Sequence, residues 1–209
     1  MRRRTKIVLT VGATAVVLGG AAVTFGPGLY ADHANGQAEA PPQISAASDD
    51  GAPATADLPG RWTVGSGSFA GYRVHEVLRG HDVTVTGRTP QVTGDLTVQG
   101  DQLTAAQVTV DVGSISTPEA ARDAYFRSVA LDTGTFPHAT FTLTAPAPVA
   151  AVTGGQPVPV PVTGDLTVHG VTRSVQATLQ AVASGDGAQV TGSIPVSYTH
   201  LTLPTILRV

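Results

Sequence analysis

Residues 92–100 read VTGDLTVQG and, 70 positions later, residues 162–170 read VTGDLTVHG, so the two copies differ only at Gln99 and His169. In each copy Val, Gly, Leu and Val alternate with Thr, Asp, Thr and Gln or His, the period of a strand with one buried and one wet face. The spacing exceeds the roughly 20 to 50 residues of a solenoid repeat. The copies are therefore two strands of one sheet. The same rhythm, rich in Val and Thr and broken by Gly, Asp and Pro, runs through eight segments: 62–77, 82–86, 92–99, 103–112, 139–144, 158–169, 173–182 and 189–196. A kink is expected near Gly67 or Gly71, and a hairpin at Gly100-Asp101. Pro157, Pro159 and Pro161, all on one face of a strand, predict an edge or bend, with regular pairing only after Val162.

Eight such strands can close a barrel. The expected fold class is all-β, an eight-stranded antiparallel barrel. PEAARDAYFRSVAL, residues 118–131, leaves the two-residue period. Thr117 is placed to cap it and Pro118 to start it. Ala121, Tyr125 and Val129 then recur at helical spacing beside Phe126, giving one short helix. Val92, Leu96, Val98, Val108, Val110, Phe141, Leu143, Val160, Val162, Leu166 and Val168 alternate toward the interior. Gly94, Gly164 and Gly192 share those faces, where they either open space or let the strands coil.

The 209 residues are 42% hydrophobic and 13% charged, with net charge −3. One core of about 150 residues fits, with an appendage. There is no basic field of the kind a nucleic-acid partner requires. Lacking cysteine, the chain has no disulfide, thiolate metal site or lipidated N-terminal cysteine. Four domains of composition follow. Residues 1–29 carry Arg2, Arg3, Arg4 and Lys6 before the uncharged run 7–25, long enough for a membrane-spanning anchor with the remainder outside the cytoplasm; a signal cleaved near Ala38-Glu39-Ala40, releasing a secreted protein, is the alternative. Residues 30–57, rich in Ala and Pro, read as a disordered tether. Residues 58–196 hold the strands, and 197–209 form a tail of different character.

Chemistry-bearing patterns are sparse. His33 lies in the tether and His200 in the tail, and His75, His81, His138 and His169 show no metal-ligand spacing. Ser114, Ser116 and Ser128 lack a nucleophile elbow. The only lysine, Lys6, precedes the membrane segment, which excludes a Schiff base in the folded part. A hydrolase or metal enzyme built on His75, His81 or His169 is one alternative reading, and a filled barrel acting as a surface interaction module is another.

The stretches Arg61-Trp62 through Gly67-Ser68-Phe69, GYRVHE, VTGDLTV, VDVGSI, the helix entry Arg122-Asp123, FPHATF at 136–141 and LTVHGVT at 166–172 follow one another in an order that resembles the YceI-like family. The resemblance extends to the anchor and tether of actinobacterial members. It implies a lipocalin-like barrel whose apolar cavity holds a long-chain isoprenoid or fatty-acyl lipid outside the cytoplasm, by binding without catalysis or a cofactor. The cavity residues would be Tyr72, Leu96, Val98, Val108, Val110, Phe126, Phe136, Phe141, Leu143, Leu166 and Val168. Arg122, Asp123 and His169 would face the lipid head group, although the helix start favours a cap and ion-pair role for Arg122 and Asp123. The family continues after a strand like VTGSIPV with a closing strand. Here Val196 leads instead into SYTHLTLPTILRV, and VSYTHL matches one frame of a transposon-based sequencing adapter, so the native frame is expected to end near Val196.

Overall fold

The computed structural model describes residues 28–44, 58–184 and 187–196. The expected anchor at 7–25 and the tail at 197–209 lie outside them. No helix among the described residues is long and apolar enough to cross a membrane. Among the described residues ten strands follow one another: β1 (Gly60–Thr63), β2 (Ala70–Leu78), β3 (His81–Thr89), β4 (Val92–Gln99), β5 (Gln102–Asp111), β6 (His138–Ala145), β7 (Ala147–Pro148), β8 (Val158–Val168), β9 (Val171–Ser184) and β10 (Gly187–Thr191). Helix α1 covers residues 28–37 and α2 covers Ala120–Tyr125.

The chain divides into two units, one holding 28–40 with 72–87 and the other 41–44, 58–71 and 88–196. In the first, β2 and β3 pair as a hairpin. Arg79 and Gly80 turn it with φ of +50° and +85°, the left-handed pair of a two-residue turn that matches strand twist. Ala31 of α1 is buried with Val83 and Val85, and Ala34, Tyr72 and Val74 pack around them. Asn35 fastens the helix by donating from Nδ2 to the Asp82 carbonyl at 2.8 Å and accepting the Thr84 N–H at Oδ1 at 2.7 Å. Residues 30–37 are therefore helical where a disordered tether is expected. Alanines three apart give α1 a flat apolar face, and a count of branched residues misses it.

The second unit is mostly β and corrects the expected closed barrel to a curled antiparallel half-barrel. Its strands lie in the order β1-β4-β5-β6-β8-β9-β10, with β7 pairing the far end of β5. Among the described residues β1 and β10 remain the sheet's edges. The strand count differs because the two-residue β7 is added and because the expected strand 62–77 breaks between Thr63 and Ala70, where Gly67 takes φ +90°. Its first part joins β4 and its second part pairs with β3.

The prolines also fall differently from expectation. β8 is in register with β9 from Val158 onward, through Val158↔Ala181, Pro159↔Gln180 and Pro161↔Thr178. β6 pairs with β8 only from Thr163 to Thr167. The prolyl half of β8 thus has a complete ladder on one side and no strand register with β6 on the other, a position that tolerates missing N–H groups.

Glycines of the two VTGDLTV copies set how closely strands approach. A Cβ on Gly94 would sit 2.6 Å from the Gln107 carbonyl oxygen and 3.0 Å from a Val64 methyl. On Gly164 it would sit 2.5 Å from the Thr142 carbonyl oxygen and collide with the Phe141 ring, while the Leu179 side chain covers Gly192. Neighbours fill the space over each glycine, so these positions serve close strand approach and not an internal void. Gly164→Ala is expected to lower stability by about 1–3 kcal/mol, seen as a lower denaturant midpoint at constant slope. Thr178→Ala, on an exposed site of β9, should stay within about 0.5 kcal/mol of wild type. Equal midpoints for Gly164→Ala and wild type would contradict this fit.

Candidate functional site

Side chains of directly opposed strand residues share a face. Register therefore aligns Gly94, Val108, Phe141 and Leu166 as a row across β4, β5, β6 and β8. Val92 with Val110, and Leu143 with Gly164, form parallel rows. Strand alternation adds Val168, and Leu96 lies opposite Trp62 and Ala106. Eight of the expected cavity residues (Leu96, Val98, Val108, Val110, Phe141, Leu143, Leu166 and Val168) thus belong to one apolar face.

That face is dry at one end and wet at the other. Around Val98, Leu103, Val160, Val162 and Ala181 the side chains are buried, and β7 with the short turn Ala150–Gly154 closes the end through Ala147 and Val152, 1% and 4% exposed. Toward Val92, Val108, Val110, Phe141, Leu166 and Val168 the same face is only half-buried. Val175, Ala177 and Leu179 of β9 continue it. These three, with Trp62 and Val152, are absent from the sequence-derived set, although the alternation along β9 carries the signal for Val175, Ala177 and Leu179.

Three expected lining residues lie elsewhere. Tyr72 packs in the cluster around Val83 and Val85 of the first unit. Phe126 is buried in the single π-helical turn Phe126–Ala130 that extends α2. Phe136 supports the β8–β9 hairpin. In that hairpin His169 and Gly170 take φ of +51° and +71°, and the Phe136 ring meets the His169 ring edge-on at 4.9 Å. A Cβ on Gly170 would lie 2.5 Å from Phe136. FPHATF and LTVHGVT therefore meet as a wedge and the turn it holds. The first VTGDLTV copy ends otherwise: its register shifts at Thr97/Val98, Gln99 stays in the strand opposite Gln102, and Gly100 turns with φ +56°.

The polar residues are largely occupied. α2 starts two residues later than the expected Pro118, with Glu119 at its cap. Thr117 instead accepts the Glu119 N–H through its hydroxyl at 3.1 Å and donates that hydroxyl to Asp123 Oδ1 at 2.8 Å; its own N–H reaches the same oxygen at 2.9 Å. Asp123 is 7% exposed. It ties the loop to the helix. Arg122 is half-buried on α2. His75 Nδ1 shares a hydrogen bond with Thr84 Oγ1 at 3.0 Å, and His81 stands beside Gly28. Ser114 Oγ donates to the Asp111 carbonyl and contacts Thr89 Oγ1 at 2.6 Å. No three His, Asp or Glu side chains gather as a metal site among the described residues. Thr117→Val and Asp123→Ala should each cost about 1–3 kcal/mol, and the double variant less than their sum, because both remove one network. Thermal unfolding of the four proteins measures this; additive losses would contradict the shared role.

Comparison with known proteins follows from this geometry. BcnA of Burkholderia cenocepacia matches with TM-score 0.51 and 21% identity over 61% of this chain and 77% of that one, a likeness of fold. A domain from Saccharophagus degradans described as polyisoprenoid-binding is 22% identical over 62% of this chain and 67% of its own, with TM-score 0.40. A YceI protein of Campylobacter jejuni is 13% identical over 75% and 78%, with TM-score 0.35. No curated protein matches the chain. The family model of the YceI-like domain matches residues 62–203, past Val196 into residues outside the described structure. With the wedge, the hairpin and the half-barrel in place, that match over more than half of the sequence shows that the chain belongs to the YceI-like family.

Proposed function

We propose that the apolar face of the half-barrel binds a long-chain isoprenoid or fatty-acyl lipid, without chemistry, as a carrier or store held outside the cytoplasm. The observation that carries this reading is the gradient along one face, closed by Ala147 and Val152 at one end and half-buried around Phe141 and Leu166 at the other. Membership of the YceI-like family supports the ligand class. Magnitudes favour a long chain. Each methylene removed from water contributes about 0.8 kcal/mol, against an association cost of roughly 4–15 kcal/mol. About ten or more buried carbons are needed before binding is useful, which a short polar metabolite does not supply.

The uncharged run 7–25 behind four basic residues supports an anchor with the half-barrel outside the membrane. Protease added to intact spheroplasts is then expected to degrade the domain; protection equal to that of a cytoplasmic marker would overturn this placement.

Mass spectrometry of an organic extract of the purified full chain is expected to find an isoprenoid or long-chain acyl lipid. Val108→Trp, which fills a half-buried place on the face, should weaken uptake of an added polyprenol about tenfold, or ~1.4 kcal/mol, with little change in unfolding midpoint. Repeated extracts without lipid, together with no uptake of added polyprenol, would overturn the reading.

A further inference from the structure

Arg173 brings a charge onto an otherwise apolar face. It stands directly opposite Leu166, and Leu166 opposite Phe141, so the three side chains form one row across β6, β8 and β9. Val175, Ala177 and Leu179 continue the face along β9. The other charged residues of this sheet's strands, Arg61, Asp95, Asp111 and Asp165, fall on the opposite parity, opposite Thr97, Gln107, His138 and Ser174. Arg173 is exposed and its side chain makes no hydrogen bond or ion pair among the described residues. Asp123 is committed to Thr117, and His169 packs on Phe136. Among the described residues a guanidinium here is therefore the one cation on the face, and it stands at the wetter end.

A single-chain amphiphile lying on this face places its tail toward Val160 and Ala147, where water is excluded, and its polar end in the row of Arg173. We propose that Arg173 binds an anionic head group, a carboxylate or a phosphate, of the bound amphiphile. The inference rests on the lipid-binding reading above and adds the sign and class of the head. A guanidinium presents paired N–H donors that match two oxygens of either group. In water the same pair is screened, so its effect is one of preference among ligands and not of overall affinity.

Dodecanoate, dodecyl phosphate and dodecanol present one chain with three heads, and their binding to the full chain by displacement of a fluorescent fatty acid separates the two contributions. At low salt at least one of the anionic probes is expected to bind about fivefold or more tighter than dodecanol, and the preference should shrink as salt rises. Whether the carboxylate or the phosphate gains more identifies the head. Arg173→Gln should abolish the preference while leaving dodecanol binding unchanged, and Arg173→Lys should retain part of it. Arg61→Gln, the same charge change at the opposite parity on β1, should leave it intact. Dodecanol binding with no anionic preference, or a preference that survives in Arg173→Gln, would overturn the role of Arg173 alone. Failure of all three probes would overturn it together with the lipid-binding reading.

Discussion

The Phe141 ring lies where a side chain on Gly164 would otherwise stand, and the packing of the half-barrel depends on that fit. A large aromatic on β6 needs an empty place on β8, and glycine supplies it while letting the two backbones approach closely. Gly94 meets the same demand against β5, with Val64 covering it from the chain that follows β1. The two VTGDLTV copies therefore resemble each other because both are central strands of one curled sheet, paired on either side of β5 and β6. Similar packing demands are sufficient to explain the repeated residues.

The asymmetry along the apolar face follows from what the chain places at each end. After β6 the short strand β7 and the turn Ala150–Gly154 return to the sheet and bury Ala147 and Val152. Among the described residues nothing comparable covers Phe141, Leu166 and Val168, which stay half-buried. A face left partly wet costs hydrophobic stabilisation in the free protein, and an apolar occupant recovers it. In the proposed reading, the closed end sets which way a chain-like ligand lies, and the row ending at Arg173 sets what its other end meets.

Residues that look chemical in the sequence mostly turn out to hold loops. His169 occupies a left-handed turn position that asparagine or glycine usually takes, and the Phe136 ring packs against its imidazole. Asp123 and Thr117 join the start of α2 to the preceding loop. Ser114 ties its turn to Asp111 and Thr89. None of these pairings follows from spacing, since the partners are separated by as many as 33 residues, as for Phe136 and His169. The family resemblance singles out FPHATF and LTVHGVT, and in the structure each is half of one contact.

The sequence by itself determined the strand class, the hairpin at Gly100-Asp101, the short helix and most of the apolar face. Those features depend on period-two alternation and on turn chemistry, which are local. Tertiary structure alone decided which strands neighbour one another, and so that the expected single strand 62–77 divides between β4 and β3 and that the described strands form an open half-barrel. It also decided that α1 packs on its hairpin through Ala31 and Asn35, and that Arg173 shares a row with Phe141 and Leu166. The reason is the same in each case. Register and docking depend on residues distant in sequence, and an alternating pattern gives the face on which a side chain lies without giving the partner it meets there.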